Sequence, residues 1–68
     1  MKGVVKKTRL DGFYEVQTDS IVSVFELVGC SIVNVGDEIE GGLDSLGGKE
    51  LTNITQNDVF DAVIQEIN

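Results

Sequence analysis

The chain has no histidine, no proline, no tryptophan and one cysteine in 68 residues. Without histidine it lacks the side chain that titrates near neutral pH and serves most often as general base or metal ligand. A lone Cys30 supplies neither a disulfide nor a zinc-ligand pair, so of the staples that small domains use only a partner subunit is left. No cation or imidazole flanks Cys30 in Val28-Gly29-Cys30-Ser31, so it reads as a small buried apolar residue and not as a reactive thiol. Long apolar runs are missing too. Lys2, Lys6 and Lys7 interrupt the start of the chain, which gives no secretory apolar region, and no stretch approaches the roughly 20 residues a membrane helix needs. These absences predict a cytoplasmic protein with no membrane partner, organised as one small domain over residues 1–68.

Positive charge is scarce and confined to one end. Lys2, Lys6, Lys7 and Arg9 lie in the first nine residues, and Lys49 alone answers the twelve Asp and Glu that run from Asp11 to Glu66. The net charge of −7 is therefore divided into a basic leading segment and an acidic body. A chain of this length buries only about 60% of the surface its unfolded form exposes, which leaves room for one modest core.

What is present has an all-β rhythm. Eight glycines separate short runs rich in Val, Ile, Phe and Thr. With proline absent, turns are expected at Asp11-Gly12, Asp19-Ser20, Gly36-Asp37, Gly47-Gly48 and Asn57-Asp58. Over 37–44, alternation places Ile39, Gly41 and Leu43 on one face, with Glu38, Glu40, Gly42 and Asp44 on the other. Over 12–18, Tyr14 and Val16 share a face, and Phe13, Glu15 and Gln17 the opposite one. Residues 21–28 are apolar on both faces apart from Ser23 and Glu26, as suits a strand covered on two sides. The last segment is ambiguous, because Val59, Phe60, Val63, Ile64 and Ile67 form a helical stripe while Phe60, Ala62 and Ile64 alternate as a strand would. Its β-branched content and the Gln56-Asn57-Asp58 turn after the strand expected at 50–55 favour a hairpin strand.

No catalytic, metal or cofactor signature emerges. Asp37, Glu38, Glu40 and Asp44 lack the spacing of a calcium loop, and alternation sends Asp37 to the opposite face from the others, so the group reads as a solvated strand face and not as a cation site. Gly42 and Gly47-Gly48-Lys49 approach a phosphate loop, but Glu50 stands where Ser or Thr would hold the metal, and a glycine-rich hairpin loop is expected instead. An enzyme is not expected.

Gly3-Val4-Val5-Lys6, Gly12-Phe13-Tyr14-Glu15-Val16 and Val24-Phe25-Glu26-Leu27 resemble the opening three strands of a cold-shock-type OB barrel. Val35-Gly36-Asp37-Glu38-Ile39-Glu40-Gly41 and Leu51-Thr52-Asn53-Ile54 resemble its fourth and fifth, so the likeness spans about residues 3–55. The resemblance implies a face on which Phe13 and Phe25 stack bases while a basic first strand follows the phosphate backbone. Lys7, Glu15 and Leu27 stand where that family carries two aromatics and a histidine. The expected fold is a small all-β barrel, OB-like, of about five strands with an extra C-terminal strand, an SH3-like barrel being the alternative. The expected function is a non-catalytic binding module. Its leading partner is a protein or a second copy meeting the basic strand, and its second is weakly bound single-stranded RNA or DNA, with Lys6, Lys7, Arg9, Phe13 and Phe25 as contact residues.

Overall fold

The β-branched runs pair antiparallel with one another, and the pairing closes. The computed structural model describes residues 1–9 and 12–68. Six strands are present among them: β1 (Lys2–Thr8), β2 (Phe13–Gln17), β3 (Val22–Val28), β4 (Glu38–Glu40), β5 (Gly47–Asn53) and β6 (Asp58–Ile67). They form a closed antiparallel barrel in the order β1-β2-β3-β6-β5-β4, with β4 pairing back onto β1. Two three-stranded meanders are thus joined by the connection between β3 and β4. Because β1 bonds to β2 on one side and, over Lys2–Val4, to β4 on the other, the two meanders close on each other.

The ambiguous last segment is a strand. β6 runs antiparallel to both β3 and β5, and Asn57 at φ 55° makes the turn that leads into it. Its ten residues bury Phe60, Ala62 and Ile64, the alternating set, so burial against two neighbouring strands decides between the two periods. Two expectations are corrected. Gly47-Gly48 is not a turn but the start of β5, paired with Ile64 and Val63. The strand expected over 37–44 shrinks to Glu38–Glu40, although Ile39 and Leu43 are both fully buried as their alternation required. A Cβ on Gly41 would lie 2.5 Å from Leu51 Cδ2, so the chain leaves β4 there by passing close over β5. Gly3 answers a similar demand in β1, where a Cβ would meet Val16 Cγ1 at 2.5 Å and the Gln17 carbonyl at 2.7 Å.

Val5, Val16, Phe25, Ile39, Leu51, Phe60 and Ile64 fill the barrel from the strands, and Val33 and Leu43 join them from the connections on either side of β4. Phe25 is the hub. Its ring stacks on Tyr14 at 5.2 Å between centroids and packs at a tilt against Phe60 at 5.6 Å.

The interior is not wholly apolar. Ser23 is fully buried, and its hydroxyl has no hydrogen-bond partner. Asp37 is also buried, and its Oδ2 accepts from the Asn34 backbone N–H (3.0 Å), Asn53 Nδ2 (2.8 Å) and Gln56 Nε2 (2.6 Å). Its backbone carbonyl accepts from Val5 N–H at 2.9 Å. One residue therefore ties β1, the β3–β4 connection, β5 and the β5–β6 turn together. Burial pushes this carboxyl up, but the three donors outweigh it and hold it below its usual value of 3.8.

These two polar groups behave oppositely under substitution. Ser23→Ala removes an unsatisfied hydroxyl and is expected to leave stability unchanged or raise it by up to about 1 kcal/mol in thermal melts. A loss of that size would show that the hydroxyl has a partner. A depressed folded-state pKa means that Asp37 contributes stability above its unfolded value, and that this contribution is lost as pH falls through the folded one. Wild type should accordingly lose urea resistance on acidification from about pH 5 to about pH 2. Asp37→Asn should be weaker at neutral pH by about 1–3 kcal/mol and should show a flatter profile across that window.

Candidate functional site

β1 carries the basic segment, and its alternation sorts the side chains. Gly3 and Val5 face the core, while Lys2 and Val4 face outward. Val5 pairs with Val16 but Lys7 pairs with Glu15, so the register slips by one residue between them. That slip is a bulge, in which two residues of one strand oppose one of its neighbour, and it leaves Lys6 and Lys7 both exposed. The outer face of β1 is thus Lys2, Val4, Lys6 and Lys7.

Charges separated along the chain are interleaved in space. Lys2 lies across from Glu40, Val4 from Glu38 and Lys7 from Glu15. Among the described residues, the ion pairs within 4.0 Å all belong to Arg9, whose Nε donates to Glu15 Oε2 at 2.7 Å and whose Nη1 donates to Glu66 Oε2 at 3.3 Å. Glu15, Val24 and Glu66 form one row across β2, β3 and β6, and the Arg9 guanidinium spans it. This explains why Val24 is completely buried yet stands apart from the core cluster. The two-sided coverage expected for 21–28 holds only over Ser23–Phe25, since Val22 and Leu27 are half-buried and Val28 is exposed. The bond to Glu15, and after it the bond to Glu66, raises the Arg9 pKa against the lowering effect of desolvation.

The aromatic contact residues fare differently from the lysines. Phe25 is corrected outright, because its ring is enclosed between Tyr14 and Phe60 and presents no face to solvent. Phe13 is half-buried and lies across from Glu26, whose carboxylate accepts from Gln65 Nε2 at 3.1 Å. A stacking ring beside an acid is poorly placed for a phosphate chain. Cys30 is corrected as well: just past the end of β3 its thiol is exposed and free.

One concavity of about 710 Å³ lies against β1. Lys2, Val4 and Lys6 form one side and the turn Thr18–Ser20 the other, with Glu38 at its margin and no aromatic in its lining. The turn is held by its own bonds. Thr18 Oγ1 accepts from Ser20 N–H (3.3 Å) and Ile21 N–H (3.0 Å) and donates to the Ile21 carbonyl (3.0 Å), while Gln17 Nε2 donates to the Thr18 carbonyl at 2.8 Å. Sequence reasoning placed a turn at Asp19-Ser20 but did not bring it against the lysines. Only the β1–β2 pairing, with Val4 opposite Gln17, does so. The turn expected at Asp11-Gly12 reaches outside the described residues. Among the described residues, no three His, Cys, Asp or Glu side chains cluster as a metal site, and no helix is long and apolar enough to cross a membrane. No protein-family model, curated protein or solved structure gives a significant match to the chain.

The clamp makes a separable prediction. Arg9→Ala uncovers Val24 and leaves Glu15 and Glu66 unanswered, so it should lower the urea midpoint, and by more at low salt than at high salt. Arg9→Met keeps an apolar cover and should recover part of the loss. Equal midpoints for both variants and wild type would remove the clamp from the stability account.

Proposed function

We propose that the protein is a non-catalytic binding module that docks the acidic surface of a protein partner, a second copy included, on the outer face of β1. The observation carrying this reading is that Lys2, Lys6 and Lys7 are exposed and, among the described residues, outside any ion pair, whereas Arg9 is spent on Glu15 and Glu66. A bound acid replaces water around these lysines without displacing an internal partner. The net charge of −7 opposes long-range attraction of any anion, but screening over about 8 Å at physiological salt lets a local face act on its own.

Single-stranded nucleic acid is the weaker reading. It needs several stacked bases, each contributing about 1–3 kcal/mol, and Phe25 is removed from the surface while Phe13 sits beside Glu26. For the fold family we keep the OB-like reading, supported by the β1-β2-β3 meander that carries the lysines. The departure from it is a sixth strand and full closure, where an OB barrel has five strands and is partly open.

Titration of the isotope-labelled protein with a short poly-glutamate peptide at low salt is expected to shift the amides of Lys2 to Lys7. The shifts should fade with added salt and disappear when all three lysines are changed to alanine. Light scattering at rising concentration tests the second-copy form, which requires salt-sensitive growth in mass. Absence of amide shifts at low salt would overturn the reading, and movement of the Phe13 ring signals by an oligodeoxythymidylate would put nucleic acid in its place.

A further inference from the structure

We infer that the cleft beside β1 selects an extended peptide with acidic residues at i and i+4 and an apolar residue at i+2. This rests on the acid-docking reading of β1 and adds to it the class of sequence recognised. Lys2, Val4 and Lys6 line one side of the cleft at alternate positions of a strand. At a rise of about 3.3 Å per residue, the two lysines stand about 13 Å apart with Val4 midway. An extended peptide has the same rise, so its i, i+2 and i+4 side chains meet Lys, Val and Lys in turn. A helical peptide carries i and i+4 only about 6 Å apart and cannot reach both lysines from that pair.

Further observations narrow the occupant. Val4 is 42% exposed, an apolar centre between two cations, and Met1, 48% exposed, lines the same cleft. Glu38 lines the cleft across from Val4, so it repels an acid at i+2 and leaves that place to an apolar residue, whereas Glu40 across from Lys2 lies outside the lining; Asp19 penalises a uniformly acidic chain. At Val4 both edges of β1 are already paired, with Gln17 of β2 and Glu38 of β4, so a ligand lying over it is read through its side chains. The internally bonded Thr18–Ser20 turn gives that ligand a wall already in place, which reduces the ordering cost of binding. No aromatic lines the cleft, so it offers nucleic acid bases nothing to stack on.

The test compares the capped pentapeptide Glu-Ser-Leu-Ser-Glu with its isomer Glu-Glu-Leu-Ser-Ser, each titrated into the labelled full chain. The first should shift amides in Lys2 to Lys6 and Gln17 to Ser20. The isomer keeps Glu at i and Leu at i+2 and loses the acid at i+4, so it should bind about twofold to fivefold more weakly, as the loss of one exposed charge contact implies. Val4→Ser, at an exposed position and checked by its thermal melt, should weaken binding of the first peptide by removing the apolar contact at i+2. Equal binding of both peptides at this cleft would overturn the sequence pattern while leaving the acid-docking face standing. Shifts from neither peptide, together with none from poly-glutamate, would overturn both.

Discussion

Closure of the barrel through a strand of three residues is the constraint on which the rest of the molecule depends. β4 contributes only Glu38–Glu40, so its seam with β1 is short beside the β3–β6 pairing that joins the meanders on the opposite side. Asp37 reinforces that seam. Its carbonyl takes the Val5 N–H, and its carboxylate gathers donors from the β3–β4 connection, β5 and the β5–β6 turn. Neutral amides and a backbone N–H surround this charge, so it is held by dipoles and not by a counter-ion. With the seam shut, Ile39 reaches the core beside Leu51, and β1 is fixed between two neighbours with its lysines outward.

That placement reverses the impression given by linear charge. The basic segment and the acidic body are adjacent in the fold, since β1 lies between β2 and β4 and faces Glu15, Glu38 and Glu40. Arg9 shows how such adjacency is used internally, bridging two carboxylates over a valine. The lysines differ: Lys2 and Lys7 stand across from Glu40 and Glu15 without closing on them, and Lys6 sits in the bulge. This makes the face a mixed one whose discrimination comes from the position of charges more than from their sum.

Much of this was legible from residue patterns and some was not. The all-β class, the burial of Ile39 and Leu43 and the hairpin at Asn57 follow from alternation and turn chemistry, which are local. The strand state of 58–67 was readable only as a preference, because the deciding term is burial against β3 and β5, which are distant in sequence. Gly47-Gly48 misled because glycine pairs suit turns intrinsically, yet here β6 supplies partners for both. Asp37 shares the parity of Ile39, so its inward direction was available, but its three donors come from loops no periodicity connects. Phe25 and Phe13 were grouped by resemblance to a nucleic-acid platform. The core contact with Tyr14 and Phe60 separates them.

The slipped register in β1 has an outcome for how this surface can change over time. Val5 faces inward before the slip and Thr8 lies across from Tyr14, a core-facing residue, after it. In an unbroken strand Lys7 would instead take the inward position. The extra residue resets the phase, which lets two consecutive lysines sit on a half-buried strand and turns Arg9 toward its clamp. Gain or loss of a residue at this point alters how many cations the face displays without disturbing the packing beneath, so the strand's exterior can diversify by length while its interior stays the same.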